Sequence, residues 1–303
     1  MKSLGLLVST VTSLLAFEYG LEPVQVNEKV YCFFGKPEVM NTINNGNMVN
    51  SCFIDAGESW LVTDSGPSYL YAQEAHRLVR QIKDMPVSYV INTHVHDDHW
   101  LGNNYFLSVG ATILGSTEFK YLLNTHEIPR MARRISPEAY SSTVPAIPTI
   151  LIDKDEEIHV NEMKVKIFHV DHKAHTKGDL FVYIPEIRTL FAGDLIFNER
   201  LPSLRDGEIN GWIETLEKIK HIHPLTLIGG HGRLTDFSAI EMTYAYLSKL
   251  KQKVKEIIKK EGEIDEAVAL VRLPKYSQMA FYKEIHKQNV EAVYRTLEWE
   301  NNE

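Results

Sequence analysis

The stretch from Val87 to Gly102, VSYVINTHVHDDHWLG, runs from an apolar strand directly into the densest group of metal-ligating side chains in the 303-residue chain. His94, His96 and His99 fall within six residues and are interleaved with Asp97 and Asp98. A loop at the end of a strand aims alternate side chains at one point, so a His-x-His pair there can share one metal while Asp98 and His99 turn toward a second. Imidazole nitrogen and carboxylate oxygen are the donors zinc takes, and a catalytic site keeps one position open for water. The opposing explanation, a satisfied polar core, would leave several buried rings needing partners.

Working outward, residues Val30 to Asp64 show short β-rich runs (VYCFF, CFIDA, SWLVTD) separated by the turn residues Asn44-Asn45-Gly46 and Ala56-Gly57. Leu70, Ala75, Leu78, Val79 and Ile82 recur near helical spacing and predict a helix from Tyr69 to Lys83. Downstream, ATILG is followed by a helical stretch after Thr117. The strands TILI, KVKIFHV, LFVYIP and TLFAG come next, then a helix from Ile209 to Ile219 and a last strand, LTLIGG. This alternation predicts an α/β (α+β) domain with helices flanking sheets, an αββα sandwich being one solution. From Asp236 the pattern changes to amphipathic helices punctuated by Gly262 and Pro274, so residues 17–235 are expected to form the main domain and 236–303 a C-terminal helical extension. The lysines between Lys249 and Lys260 fall among periodic apolar residues and read as a solvated face.

A formal charge of -8 argues against general affinity for nucleic acid or anionic lipid, which requires a basic surface. Residues 1–16 begin with one cation, Lys2, continue through an apolar run from Leu4 to Leu15 and end at Ala16, a pattern expected of a secretory signal. The run is too short to span a bilayer, so no integral anchor is expected, and the mature protein should be periplasmic or secreted. In an oxidising compartment Cys32 and Cys52, on two apolar segments expected to pair as strands, either form a disulfide or remain two buried thiols.

THVHDDHWLG resembles the HxHxDH signature of the metallo-β-lactamase superfamily, and the later pieces of that pattern follow in order. AHTKGDL contributes His175, LFAGDLIF Asp194, GGHG His231, and LVTDSG the early acid Asp64. The resemblance covers about Val30 to Gly232. It implies two Zn(2+) ions, one held by His94, His96 and His175 and the other by Asp98, His99 and His231, with Asp194 bridging. It also implies that Asp98 accepts a hydrogen bond from the reacting hydroxide and orients it, or receives a proton later, and that Asp64 orients a ligand from behind. His96 stands where the di-iron flavoprotein branch has Glu, which disfavours that branch. Asp194 stands where the main β-lactamase subclass has Cys.

GDLIF is similar to glyoxalase II and related thioester or ester hydrolases, and the overall layout resembles exported hydrolases of quinoprotein and sulfur-oxidation systems. The expected function is therefore zinc-dependent hydrolysis of a small ester, thioester or lactam. A β-lactamase in the strict sense, a mononuclear iron persulfide dioxygenase and a non-catalytic accessory protein are the alternatives. His221 and His223 (HIHP) lack a nearby carboxylate and are not expected to ligate, and His172 is expected on the surface or behind the ligands. His76, His126, His159, His169 and His286 are expected to be ordinary core or surface residues. Trp100, Asn103, Lys177 and Arg200 lie beside the motifs and could line a pocket, but packing, capping or solvation is the simpler role for each.

Overall fold

Strands in this chain alternate their burial partners residue by residue, and that alternation assigns the layers. On the segment Ser51–Asp55, Cys52 and Ile54 face one core and Phe53 another. Leu180, Val182 and Ile184 likewise share a core from which the intervening Phe181 is excluded. The computed structural model describes residues 17–125 and 129–300. The expected signal segment 1–16 and His126 lie outside the described residues.

The first sheet contains β1 (Val24–Asn27), β2 (Val30–Phe33), β3 (Ser51–Asp55) and β4 (Trp60–Thr63). After helix α1 (Tyr69–Ile82) it continues with β5 (Val87–Ile91). Helices α2 (Asp97–Trp100) and α3 (Asn103–Ser108) lead to β6 (Thr112–Ser116), and α4 (Phe119–Thr125), α5 (Arg130–Arg134) and α6 (Pro137–Tyr140) lead to β7 (Ile150–Ile152). These seven strands lie in sequence order, antiparallel through β4 and parallel from β4 to β7. The second sheet is built from β8 (Glu156–Val160), β9 (Met163–His169), β10 (Leu180–Ile184) and β11 (Thr189–Phe197), with α7 (Ile209–Lys220) preceding β12 (Thr226–His231). β11 and β12 run parallel, and the other pairs are antiparallel.

The two sheets face each other across Val30, Cys32, Cys52, Ile54, Leu61, Ile91, Val165, Ile167, Val182 and Phe191. α1 covers the outer face of the first sheet: Tyr71, Ala72, Ala75 and Val79 pack on Phe53, Val62 and Val90. Ser68 caps α1 by accepting from the Tyr71 backbone N–H at 3.2 Å, which supplies one of the acceptors a helix start lacks. On the outer face of the second sheet, α7 and the C-terminal helices α8 (Ser238–Ile258), α9 (Ile264–Leu270) and α10 (Tyr282–Glu300) share one core built on Trp212, Leu216, Tyr246, Leu247, Val290 and Leu297. The expected αββα sandwich with a helical C-terminal region is what forms.

Cys32 and Cys52 are directly opposed in register on β2 and β3 and form a disulfide, which resolves the two readings open at the sequence level. Two edge strands, β1 and β8, had no counterpart in the sequence pattern. Each offers only two apolar residues, Val24 and Val26 in VQVN and Ile158 and Val160 in EEIHV, too short an alternation to stand out.

Candidate metal centre

Both sheets direct residues to the same end of the sandwich. β5 delivers the loop with His94 and His96, and the short α2 that follows carries Asp98 and His99. His175 lies on the connection between β9 and β10, and His231 ends β12. Asp194 was expected just past the end of a strand, but it sits inside β11. There the β11–β12 register passes from Gly193↔Gly229 to Phe197↔His231, so β11 spends two extra residues in a bulge. The bulge lifts Asp194 out of the ladder and toward the histidines. Gly193 makes this possible: it has φ +52°, and a Cβ there would come 2.4 Å from Thr93 Oγ1. A Cβ on Gly230 would come 2.0 Å from Asp194 Oδ1, so the second glycine of GGH also keeps the carboxylate's space open.

The seven expected ligands meet in two groups, His94, His96, His175 and Asp194 in one and Asp98, His99 and His231 in the other, with ligand atoms within 4.8 Å in each. Asp194 divides between them. Its Oδ2 lies 3.3 Å from His175 Nε2 and 3.7 Å from His94 Nε2, while Oδ1 lies 3.2 Å from both His99 Nε2 and His231 Nε2. Asp98 Oδ2 completes the second group, 3.7 Å from His99 Nε2 and 3.6 Å from His231 Nε2.

Four of the five imidazoles have their other nitrogen fixed. His99 Nδ1 meets Asp64 Oδ2 at 2.8 Å, and His94 Nδ1 meets Thr93 Oγ1 at 3.1 Å, which in turn donates to Asp64. His231 Nδ1 donates to the Met48 carbonyl at 2.7 Å, and His96, which turns Nδ1 inward, meets Asp206 Oδ2 through Nε2 at 2.9 Å. Each such partner selects the tautomer that leaves a lone pair facing the cluster. Asp64 holds this post from a left-handed backbone position, φ +56°, a conformation a non-glycine residue adopts only when its surroundings enforce it. For His175, Nδ1 is buried without a hydrogen bond among the described residues; its ring is set by contact with Trp212 and Phe197.

The electrostatics match a cation-binding role. Burial, reinforced by the neighbouring imidazoles and opposed by Asp194, holds His94 and His175 well below the ordinary histidine range, and burial also lowers His231. His99 is the exception: burial works against its charge, but Asp194, Asp64 and Asp98 outweigh it and push it up. Burial disfavours ionised Asp98 and Asp194, yet the surrounding histidines, with Arg130 beside Asp98, hold both below the usual carboxylate range.

The residues present fit divalent metal. His96 Nδ1 lies 3.0 Å from both His94 Nε2 and His175 Nε2, a convergence of three ring nitrogens that protons alone satisfy poorly. His99 Nε2 and Asp194 Oδ1 are buried and make no hydrogen bond of acceptable geometry. A cation in each group would engage all of these atoms, and imidazole with carboxylate is a donor set that divalent transition metals take.

Arg130 and Asp206 are among the residues that sequence reasoning missed. Arg130 binds Asp98 Oδ1 at 2.9 Å and also clamps Asp97, whose other oxygen accepts from the Met131 backbone; the surplus acid in HVHDDH was the available signal. Asp206 lies 110 residues from His96 and carried no signal. His221 and His223 are exposed and outside both groups, and His172 bonds toward Gly211 and Thr215. Asn103 is buried in a network with Ser65 and Asn92, and Trp100 donates to the Val95 carbonyl. Lys177 pairs with Glu118. Trp100 and Lys177 line a cavity of about 690 Å³ that reaches His96, and Arg200 lines another of about 290 Å³ that opens on the centre, together with Phe281 and Ile285 from the C-terminal region.

Residues 44–231 match the sequence profile of a family described as the metallo-beta-lactamase superfamily. The chain is similar to a hydroxyacylglutathione hydrolase of Pelagibacter ubique, 24% identical across 56% of this chain and 64% of the relative. It is also similar to a linear primary-alkylsulfatase of a Pseudomonas species, 21% identical across 73% of this chain and 49% of the relative. A type 2 metallo-beta-lactamase of Elizabethkingia meningoseptica is 24% identical across 54% of this chain and 61% of the relative. The chain thus spans about half to two thirds of these proteins' lengths. Among solved structures, a metallo-beta-lactamase from Pontibacter korlensis superposes with a TM-score of 0.61 over 75% of this chain and 99% of that one, at 18% identity, a likeness of fold.

Proposed function

Because the chain belongs to the metallo-beta-lactamase superfamily, we propose that it is a hydrolase carrying two zinc ions that cleaves the ester, thioester or lactam carbonyl of a small molecule. The observation that carries this reading is the division of Asp194, one carboxylate oxygen toward His94 and His175 and the other toward His99 and His231. When bound, a zinc pair supplies Lewis acidity and water deprotonated at neutral pH. The chain's own residues then do the positioning. Asp98 faces the second group through Oδ2 and is the residue that accepts and returns a proton, while Arg130 pins its Oδ1 and fixes the plane of the carboxylate. Asp64, Thr93, Met48 and Asp206 keep the imidazoles in the ligating tautomer.

In this reading residues 17–235 form the catalytic unit and 236–303 an extension that adds Phe281 and Ile285 to the cavity wall. Residues 1–16 act as an export signal that delivers the protein to the periplasm or beyond the cell; the apolar run and the Cys32–Cys52 bridge support this. Chemistry at a single iron would leave Asp98, His99 and His231 without a task, and their burial as a complete second group favours two ions. The test is metal quantification followed by a panel of esters, thioesters and lactams on the same sample. Near two zinc ions per chain and turnover of one substrate class are expected, with both turnover and one ion lost when His96 and His175 are replaced together by alanine. Full activity in that double variant, or one iron with oxygen uptake on a persulfide, refutes the proposal.

A further inference from the structure

Two cavities meet at His96. The smaller, about 290 Å³, opens on both metal groups: Asp98, His175, Asp194 and His231 line it, with Met48 from the loop between β2 and β3 and Arg200 from the segment after β11. The larger, about 690 Å³, lies on the other side, between α2, α4, α5 and the connection from β9 to β10, and of the seven candidate ligands only His96 lines it. Between the two stands a partition, since His96, Arg130, Arg205 and Asp206 line both. In it Arg205 Nε donates to Asp206 Oδ2 at 2.7 Å, and the same oxygen lies 2.9 Å from His96 Nε2. The side chains of Arg205 and Asp206 are 52% and 45% exposed, so a bound molecule can lie over them and reach from one cavity into the other past His96.

Size sorts the two spaces. Small-molecule sites run from about 300 to 1,000 Å³, so the smaller cavity holds little beyond the reacting group, and the body of a larger substrate must go elsewhere. Chemistry then says what the larger cavity takes. Its carboxylates each face a cation of the same wall: Asp97 meets Arg130, Glu118 meets Lys177, and Asp206 meets Arg205. What is left for a ligand is apolar surface, from Val95, Trp100, Tyr121, Pro129, Pro145 and Ile147. The Trp100 N–H is spent on the Val95 carbonyl at 2.9 Å, so the indole offers its ring alone. Tyr121 is 61% exposed, a large aromatic side chain left open to water. Apolar surface in a concave wall beside a reactive centre is stabilised most by an apolar group laid over it.

We propose that the larger cavity is the recognition pocket for an uncharged aliphatic chain or aromatic ring of the substrate, held on the far side of His96 from the reacting bond. This substrate assignment deepens the hydrolytic reading above and rests on it; the affinity of the cavity for apolar groups does not. The division of labour is then spatial, with the smaller cavity performing the chemistry and the larger one choosing the molecule.

The test uses the purified protein with its metals. 4-Nitrophenyl acetate, butanoate and hexanoate lengthen the acyl side of one ester, and methyl, butyl and hexyl acetates lengthen the other side. In one of the two series kcat/KM should rise by about three- to fourfold per added methylene, mainly through KM, as burial of each methylene predicts. The series that rises shows which side of the carbonyl enters the cavity. Ile147→Asp should flatten the rise, because the added methylenes then meet a carboxylate, whereas Ile285→Asp, in the smaller cavity, should leave it steep. In parallel, calorimetric titration with two neutral probes, hexanamide and acetamide, should show hexanamide bound more tightly by about tenfold or more, a preference that Ile147→Asp removes.

Metal content and thermal midpoint are recorded for every variant. Flat series on both sides together with equal affinities for the two amides overturn the proposal, and so does a rise that Ile285→Asp abolishes and Ile147→Asp leaves intact. If Ile147→Asp does not fold, Tyr121→Ser at the exposed wall decides, and an unchanged rise and unchanged amide preference in that variant overturn it. Should no ester turn over, the hydrolytic reading fails on these substrates while the amide titrations still decide the pocket.

Discussion

His99 and His175 flank Asp194 from opposite groups, and they are held in opposite ways. The ring of His99 is tied by a 2.8 Å hydrogen bond to Asp64, which also receives the backbone and hydroxyl of Thr93. His175 has no such partner on its outer nitrogen; it is wedged against Trp212, ring centres 5.0 Å apart, and Phe197. A hydrogen bond to a carboxylate fixes position, tautomer and basicity together, whereas packing fixes position alone. The His99 side of Asp194 is therefore built for affinity, and the His175 side draws its order from the stability of the fold.

The most severe way to break this contrast is to remove the residue both sides share. Asp194→Ala should lose both ions and reduce turnover to background, read by metal analysis and steady-state rates; retention of one full ion would mean that the two groups are independent. Next, Trp212→Ala deletes the packing side. The indole is fully buried and donates to the Leu195 carbonyl at 2.9 Å, so the loss should be about 3–5 kcal/mol of stability by denaturant titration. Zinc affinity of the folded fraction should change less.

Asp64→Asn attacks the other side. About 10- to 100-fold in metal affinity should be lost, measured by chelator competition, with a smaller change in thermal midpoint. A reversed outcome for these two variants, stability following Asp64 and affinity following Trp212, would sink the comparison. The smallest effect lies farthest from the centre. His286, buried between Tyr246 and a stacked Tyr282 with Arg272 nearby, is held below the ordinary value of 6.5, chiefly by burial. Its folded value lies below its unfolded one, so full stability is present above pH 6.5 and declines as pH falls below that. The wild-type thermal midpoint should therefore drop more between pH 7.5 and 5.5 than that of His286→Gln, and equal drops would remove the residue from the account.

The same contrast explains what could be read before any coordinates. The convergence of His94, His96, Asp98 and His99 was legible because one loop carries them at close spacing, and that of His175, Asp194 and His231 because their short motifs follow in order. Asp206 and Trp212 were not legible: each acts through a tertiary contact, 110 residues away for the Asp206–His96 bond, with no local pattern. Asp194 was placed at a strand end because the glycine before it reads as punctuation, whereas in the fold that glycine opens a bulge within β11. The sandwich was legible from alternating apolar runs; the edge strands β1 and β8 were not, since each contributes only two apolar residues to its pattern.

The bridge between Cys32 and Cys52 has a consequence at a distance. It closes the base of the loop that carries Met48 and Asn50, and that loop crosses to the other sheet, where Met48 accepts from His231 and the Asn50 amide donates to the carbonyls of Gly229 and Gly232. Tying off a loop of this length contributes about 3 kcal/mol by restricting the unfolded chain. Opening it with a reductant would leave the purse-string slack at the one point where it grips His231, so loss of metal from the second group should precede unfolding of either sheet.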